Sequence, residues 1–275
     1  MKGGKRIHPG PVENGDHVRY EMSDINKLKE LIEKSKKIVF FGGAGVSTES
    51  GIPDFRSEKG LYKAQQEYGM SPETMISHSF FKSNTDTFFH YYKENMLYPG
   101  AKPNAAHIGL SQIEKQGGSI SIATQNIDGL HQEAGSSTVY ELHGSVHRNY
   151  CLDCGEKYDL AYVLDPANCQ STKYDTTYVP YCKKCGGIVR PDVVLYEEGL
   201  DDDTVNGAVT AIRNADLLII GGTSLVVYPA AGFLNYFRGN NLALINMSAT
   251  SADNRADLVI RQPIGEVFAE IFPEK

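Results

Sequence analysis

Two Cys-x-x-Cys pairs are the clearest chemical signal in this sequence. They are formed by Cys151 with Cys154 and by Cys182 with Cys185. Four thiolates suit a tetrahedral structural zinc ion, and a site closed by four cysteines has no open position for catalysis. Two matched pairs disfavour the alternative of unmetallated thiols or a redox pair. The segment between the pairs is longer than in common zinc ribbons, and we predict that Cys169, which lies alone inside it, is not a ligand.

Two histidines, His143 and His147, stand directly before the first pair. Because four cysteines complete a zinc site, neither histidine is needed as a ligand. A histidine is more often structural than catalytic, but His143 follows the strand-like VYEL and precedes Gly144, which gives the backbone room near a ligand. We therefore predict that His143 is a general base working near neutral pH, and that His147 packs or caps.

Two other loops carry groups that suit a nucleotide. GGAGVS follows an apolar run and is similar to a dinucleotide-binding turn, although its spacing differs from G-x-G-x-x-G and a plain tight turn is the alternative. In TQNIDGLH, the side chains of Gln125, Asn126 and Asp128 donate and accept hydrogen bonds in one place, as a ribose or amide ligand requires. A polar loop with Asx turns is the alternative there.

The elements that position these loops follow from the apolar pattern. Strands are predicted at residues 38–41, 120–124, 217–220, 242–248 and 257–260, and helices at 24–37, 104–116 and 204–214. Strands that alternate with helices favour an α/β fold with a doubly wound parallel sheet. Ligands bind such sheets at the carboxyl ends of the strands, where the glycine and polar loops lie.

Composition excludes some classes of function. The chain has 275 residues, a net charge of −7 and five cysteines. No run of about 18 apolar residues occurs, so we expect no membrane span. The basic residues are scattered, which argues against nucleic acid as the main partner. The five cysteines point to a metal or free thiols rather than to disulfides, and the cytoplasm is the expected location. Residues 1–22 show little periodicity and are predicted to form a flexible extension.

Taken together, these motifs resemble those of the sirtuins, a family of NAD-dependent protein-lysine deacylases. The resemblance covers about residues 25–272, and its motifs occur in the family's order. The matching stretches are GAGVSTESGIPDFR, KPNAAH, TQNIDGLH, ELHGSVH, the two Cys-x-x-Cys pairs, RPDVVLYEE, GTSLVVYPAA and INMS.

The resemblance implies a particular domain organisation. A catalytic domain is expected over residues 23–275, with a Rossmann-like core at about 23–57, 104–147 and 191–275. A small domain is expected to be inserted in it, helical at about 58–103 and zinc-binding at 148–190. NAD and an acetylated lysine of a protein substrate would meet in the cleft between the two.

The resemblance also implies roles for individual residues. His143 matches the general base, and Asn126 and Asp128 match its partners in catalysis. The metal ligands are the four paired cysteines, and Val193, Val194, Leu195 and Tyr196 match the segment that pairs with the substrate peptide. The NAD-binding positions are Gly43, Ala44, Gly45, Thr48, Asp54, Phe55, Arg56, Gln125, Asn126, Ile127, Asp128, His143, Gly222, Thr223, Ser224 and Asn246.

The activity that the resemblance implies consumes NAD. Lysine is freed of its acetyl group, and nicotinamide and O-acetyl-ADP-ribose are released. Members that remove acidic acyl groups carry Tyr-x-x-Arg on a small-domain helix, whereas this chain has Phe89 and Tyr92 at those positions. Without the arginine a succinyl carboxylate lacks its bidentate partner, so acetyl and other neutral short acyl groups are expected. The sequence departs from the family again at Tyr196 and Glu197, where many members have Phe followed by Gly.

Three other classes remain open at this level. An NAD-dependent dehydrogenase would suit the alternating strands but not the zinc pairs together with TQNIDGLH. A mono-ADP-ribosyltransferase or NAD glycohydrolase would use the same pocket and the same first chemical step, and a deacylase with another acyl preference would differ only in the substrate. A zinc-ribbon nucleic-acid module is disfavoured by the acidic charge of the chain.

Overall fold

A computed structural model describes residues 15–54, 65–170, 173 and 178–273 of the chain. Strands lie at β1 Ile38–Gly42, β2 Ile120–Thr124, β3 Val139–Glu141, β4 Gly144–Cys151, β5 Lys157–Tyr158, β6 Cys169–Gln170, β7 Val179–Pro180, β8 Val189–Val193, β9 Leu217–Gly221, β10 Asn241–Ile245 and β11 Leu258–Ile260. Helices lie at α1 Gly15–Lys34, α2 Pro72–Met75, α3 His78–Ser83, α4 Thr85–Asn95, α5 Ala105–Lys115, α6 Leu130–Glu133, α7 Leu160–Leu164, α8 Asp202–Asn214 and α9 Ile264–Ile271. Within these described ranges, no helix has the length and apolar character needed to cross a membrane.

A six-stranded parallel sheet forms the centre of the large domain, in the order β11-β10-β9-β1-β2-β3. This confirms the predicted α/β fold with a parallel sheet. All five residues of β1 and of β9 are buried, because helices cover both faces of the sheet. Strands that are buried on both faces have continuous apolar sequences. The positions of β1 and β9 could therefore be predicted from the sequence alone.

The alternation of side chains along each strand divides the core into two layers. Ile38 and Phe40 face the layer that α1, α5 and α9 cover, where Phe268 is fully buried. Val39 and Phe41 face the opposite layer, which is covered by α8 and the 3-10 helix Ala230–Tyr236. The sheet is therefore held from both sides, and only its strand ends and loops remain for binding.

The N-terminal prediction needs a correction. Helix α1 begins at Gly15, so residues 15–22 are helical and are not part of a loose extension. Residues 1–14 lie outside the described residues. From Ile25 onward α1 packs its apolar face against the sheet, with Leu28 fully buried. The apolar spacing that identifies this packed face starts only at Ile25, which explains why the earlier start was missed.

The predicted small domain consists of helices and a second sheet. Strands β5, β4 and β8 form a three-stranded antiparallel sheet. Helices α2, α3 and α4 surround an aromatic core in which Phe88, Phe89 and Tyr92 are almost completely buried. Strand β4 begins directly after His143, so the same strand connects the large sheet to the cysteines.

Candidate active site

The carboxyl ends of β1, β2 and β9 meet at one edge of the large sheet. Strand β1 pairs with β2 on one side and with β9 on the other, so the order of strands reverses here, as it does at ligand sites of open α/β sheets. The Gly43 N–H donates to Gly221 O at 3.4 Å, and Thr223 Oγ1 donates to Gln125 Oε1 at 3.0 Å. The loops that follow β1, β2 and β9, all predicted to bind NAD, thus lie together and form the floor of the candidate site.

Close approach of two backbones explains the glycines of this floor. The Gly45 N–H donates to Gly222 O at 2.8 Å. A Cβ on Gly45 would lie 2.8 Å from Gly222 Cα, and Gly222 has a φ of +57°, in the left-handed region. Glycine is therefore required at both positions. The contact holds the start of the 3-10 helix Ala44–Val46 against the end of β9.

A short chain of hydrogen bonds connects the glycine loop to the polar loop. Ser47 Oγ donates to Asp128 Oδ2 at 2.6 Å and accepts from Asn126 Nδ2 at 3.0 Å. The other carboxylate oxygen of Asp128 accepts from the Leu130 N–H at 3.0 Å. Ser47 is buried, and sequence reasoning did not select it. The available signal was its hydroxyl at the end of GGAGVS.

Gln125 has one bonded end and one unbonded end. Its Oε1 is taken by Thr223, whereas its buried Nε2 has no hydrogen-bonding partner among the residues that the structure describes. Buried amides are normally satisfied, because an unpaired one loses its interaction with water without replacement. A ligand with a hydroxyl or amide acceptor at this floor would supply the missing partner, and this fits the predicted nucleotide.

The loop between β3 and β4 carries His143. Its Nδ1 lies 2.9 Å from the carbonyl oxygen of Gln125, which only accepts. The neutral ring therefore carries its proton on Nδ1, and Nε2 keeps its lone pair. The side chain is half-buried, and His143 lines a cavity between the sheet edge and the small domain. This arrangement has the features of a general base with a fixed orientation.

The second histidine supports the polar loop. His147 Nε2 lies 2.9 Å from the carbonyl oxygen of Asp128, and the residue is exposed. Its contact with the backbone fits the packing or capping role that the sequence indicated. Gly144, between the two histidines, has a φ of +77°, and a Cβ there would collide with the carbonyl oxygen of Asp192. The reason for this glycine is thus the approach of β8 rather than room for a ligand.

A cavity of about 260 Å³ lies between the sheet edge and the small domain. Predicted NAD-binding and substrate-binding residues line it together. They are Ala44, Gln125, Asn126, Ile127, Asp128, His143, Val193, Val194, Leu195 and Tyr196. Apolar side chains of the small domain form the rest of one wall, as in most small-molecule sites.

Other predicted NAD positions do not line this cavity within the described ranges. Thr48 and Ser224 are exposed, and Thr48 Oγ1 donates to Gly45 O. Asn246 follows β10, where its side chain donates to Ser248 O at 2.8 Å, and Asp54 is partly buried. Phe55 and Arg56 lie outside the described residues.

The predicted peptide-pairing segment forms backbone hydrogen bonds with other parts of the protein at Val194 and at Tyr196. The Val194 N–H donates to the carbonyl oxygen of His143 at 2.9 Å, which ties this segment to the proposed base. The Tyr196 N–H donates to Ile76 O at 3.1 Å, and Tyr196 O accepts from the His78 N–H at 3.0 Å. The backbone N–H and carbonyl oxygen of Tyr196 are therefore both used. A peptide strand added here must pair with residues next to Tyr196 in the chain.

The departure at Glu197 has a structural consequence. Glu197 has a φ of +77°, a conformation that glycine adopts without strain and that other residues rarely adopt. Its carboxylate accepts from the N–H and the Oγ of Ser79, both at 2.9 Å. These two bonds connect the rim of the cavity to the start of α3 and compensate for the strained backbone.

The four predicted metal ligands come together at the far end of β4. Their Sγ atoms all lie within 4.8 Å of one another, a spacing that fits tetrahedral coordination of zinc by four thiolates. Each pair sits on a tight turn: the Gly155 N–H donates to Cys151 O at 3.0 Å, and the Gly186 N–H to Cys182 O at 2.9 Å. The donor set and spacing thus fit a closed structural zinc site.

The fifth cysteine lies apart from this cluster. Cys169 is buried, and its Sγ accepts from Lys93 Nζ at 3.2 Å. Burial lowers the pKa of Lys93, and the neighbouring Cys169 opposes this effect. Among the described residues, the metal-ligand group contains only the four paired cysteines, in agreement with the prediction that Cys169 is not a ligand.

Two neutral histidines lie beneath the polar loop. His107 is fully buried on α5, where its Nδ1 accepts from the Asn104 N–H at 3.3 Å, and Asn104 Nδ2 donates to Val46 O at 2.7 Å. Its ring centroid lies 4.7 Å from that of His131. Burial lowers the pKa of His107 to about 4, against a smaller opposite effect of Asp128, and burial also lowers the pKa of His131 well below its usual value. Sequence reasoning quoted KPNAAH but assigned no role to His107.

Comparisons with known proteins agree with this geometry. The profile of the Sir2 family matches residues 43–229. An NAD-dependent protein deacetylase of Clostridium acetobutylicum is 60% identical over 250 residues, which are 91% of this chain and 98% of that protein. A protein of the same name from Staphylococcus aureus is 40% identical over 252 residues, 92% of this chain and 99% of that protein.

Solved structures with the same fold contain peptides and, in one case, an acetylated ADP-ribose. A Sir2 structure with a deacetylated p53 peptide and 3'-O-acetyl-ADP-ribose has a TM-score of 0.79 and 35% identity, covering 90% of this chain and 97% of that one. Sir2Tm bound to a propionylated peptide has a TM-score of 0.76 and 34% identity, covering 90% and 96%.

Proposed function

This chain belongs to the Sir2 family, and from that membership we propose that it is an NAD-dependent protein-lysine deacetylase. One observation carries the proposal: the predicted nicotinamide and ribose residues, His143 and the peptide-pairing segment line a single cavity. An acetyl-lysine that enters beside Val194 and an NAD that rests on the sheet edge would meet there. The substrates are acetylated lysines of proteins, and neutral short acyl groups are preferred.

The residues at the sheet edge fit NAD. Gln125 Nε2 is buried without a partner among the described residues, and the Gly45–Gly222 contact brings the glycine loop against the end of β9. When bound, NAD supplies a ribose carbon that loses nicotinamide and accepts the acyl oxygen. Asn126 and Asp128, held together through Ser47, provide polar groups fixed in advance around that carbon.

His143 acts as the base in this proposal. Its Nδ1–H bond to the carbonyl oxygen of Gln125 orients the ring, so that Nε2 removes a proton from a ribose hydroxyl. The bond from Val194 to the His143 carbonyl oxygen keeps the peptide-pairing segment in register with this base. A zinc ion held by the four cysteines would stabilise the fold of the small domain and take no part in the reaction. The cytoplasmic location remains a prediction from the cysteine content.

The test follows an acetyl-lysine peptide by mass spectrometry, with and without NAD. We expect the peptide to lose its acetyl group only when NAD is present, with O-acetyl-ADP-ribose as coproduct. His143→Ala is expected to lower kcat by about 100-fold or more, the usual contribution of a general base. His147→Ala is the matched comparison, and its loss should be clearly smaller, because the described hydrogen bond from His147 to the polar loop goes to the backbone carbonyl oxygen of Asp128.

Other outcomes would contradict the proposal in distinguishable ways. Cleavage of NAD without deacetylation, together with a stable mass increase on a protein, would indicate a mono-ADP-ribosyltransferase. Formation of NADH would indicate a dehydrogenase. Equal activity of wild type and His143→Ala would leave the deacetylase in place but remove His143 from the role of base.

A further inference from the structure

Carboxylates give the cavity a negative charge. Four of them line it among the described residues, and no lysine or arginine of those residues does so. They belong to Asp128, Glu133, Glu197 and Glu198. Two are neutralised by ion pairs, Glu198 with Arg190 at 2.7 Å and Glu133 with Lys102 at 2.9 Å. Asp128 lies inside, where Ser47 bonds it at the sheet edge, so Glu197 is the carboxylate that places a charge at the rim.

The Glu197 carboxylate is exposed but held in one place. The N–H of Ser79 donates to one of its oxygens and Ser79 Oγ donates to the other, both at 2.9 Å, and within the described ranges no cation pairs with it. The backbone φ of Glu197 is +77°, and strain of this kind is kept mainly at functional sites. A side chain that is already fixed loses little freedom when a ligand binds it, so the arrangement suits recognition of a cation.

The position of Glu197 in the chain places this charge beside the substrate. It directly follows residues 193–196, the predicted peptide-pairing segment. An acetyl-lysine beside Val194 would lie about three residues, or about 10 Å, from Glu197 along an extended strand. A substrate residue two or three positions from the acetyl-lysine would therefore be next to the carboxylate. A long basic side chain there could lay its stem on the rim and bring its charged end to Glu197.

We propose that Glu197 makes this deacetylase prefer acetylated lysines that have a basic residue two or three positions away. Pairing with the peptide backbone gives affinity for any sequence, whereas a charge at the rim separates basic from acidic neighbours. A basic residue is attracted to Glu197 and an acidic residue is repelled by it. The inference rests on the proposed deacetylase function and deepens it, because it names the class of lysine site that is selected.

The experiment uses acetyl-lysine peptides that differ by one residue. Arginine, glutamine or glutamate stands in turn at each of the three positions before and after the acetyl-lysine. The value of kcat/KM with NAD is measured at low salt for wild type and for three variants, Glu197→Gln, Glu197→Gly and Glu270→Gln. Glutamine keeps an oxygen that accepts from Ser79, and glycine adopts the positive φ without strain. Glu270 is exposed on α9 and does not line the cavity among the described residues, so its variant removes the same charge elsewhere.

In wild type, kcat/KM for the arginine peptide should exceed that for the glutamate peptide by about 5-fold, the size expected of an exposed ion pair. This ratio should appear at a position two or three residues from the acetyl-lysine, on one side only, and should shrink at about 0.5 M salt because salt screens exposed charges. Both Glu197 variants should bring the ratio close to one, while Glu270→Gln keeps the wild-type ratio. Because each ratio is taken within one variant, a general loss of activity cancels.

Two results would overturn the inference. One is a wild-type ratio close to one at every position, which needs no variant at all. The other is the wild-type ratio in Glu197→Gln or Glu197→Gly. In either case, deacetylation of the glutamine peptides by wild type shows that the proposed function stands without this preference. If no peptide of the set is deacetylated with NAD, the proposed function has failed and the inference falls with it.

Discussion

Acid should destabilise this protein through the buried histidine His107. Its pKa is about 4 in the folded protein, against 6.5 for an ordinary histidine, because burial disfavours the charged ring. Between these two values the unfolded chain binds a proton that the folded chain does not. The free energy of unfolding is therefore complete above pH 6.5, falls as the pH drops toward 4, and loses nothing further from this residue below that.

The magnitude follows from the two pKa values. At pH 5, His107 alone should lower the free energy of unfolding by about 2 kcal/mol, and below pH 4 by about 3 kcal/mol. His131 adds to the effect in the same direction, because its pKa is also lowered. A loss of 2 kcal/mol is a large share of the stability of an ordinary domain, about 5–15 kcal/mol.

The matched variant is His107→Gln. Glutamine at the third residue of a helix accepts a hydrogen bond from the residue that caps it, so the bond from the Asn104 N–H is kept while the titrating group is removed. Urea unfolding followed by circular dichroism at pH 7.5 and pH 5 gives the change in stability for each protein. The change should be about 2 kcal/mol smaller in the variant. An equal change in both proteins would refute the reasoning that burial keeps His107 neutral.

Two further predictions concern the polar chain and the metal site. Ser47→Ala removes a hydrogen bond to the Asp128 carboxylate, and a bond of this type is worth about 1.5–3 kcal/mol. The value of kcat/KM for an acetyl peptide should therefore fall by at least about 10-fold. A value within about twofold of wild type would contradict the proposed role of this bond. Purified protein should contain one zinc per chain by elemental analysis, and Cys182→Ser should reduce the zinc content and the melting temperature; full zinc content in the variant would contradict the assignment of Cys182 as a ligand.

Local sequence was sufficient for the features that depend on neighbouring residues. The apolar run of β1 located a buried strand because both faces of the sheet are covered, and β2 occupies the predicted residues 120–124. The predicted helices at 104–116 and 204–214 correspond to α5 and α8. The cysteine pairs predicted a four-sulfur cluster because each turn is local and only the pairing of the two turns is distant.

Features that depend on contacts between distant segments were not visible in the sequence. Ser47 bonds Asp128 across 81 residues, so a single serine in a glycine loop gave no sign of its partner. The start of α1 at Gly15 was missed because the apolar spacing begins only at Ile25. The use of both Tyr196 backbone groups by Ile76 and His78 is also a tertiary effect, because backbone pairing leaves no mark on side-chain composition.

The sequence by itself thus determined the class of fold, the donor set for zinc and the residue types at the strand ends, since these follow from apolar periodicity and from spacing along the chain. Only the tertiary structure decided which of those residues share a cavity, which hydroxyls and amides are left unpaired there, and which histidines stay neutral. The physical reason is that burial and hydrogen-bond satisfaction are properties of a residue's neighbours in space. His107 is therefore an ordinary residue in the sequence and acquires a predicted pH dependence only in the fold.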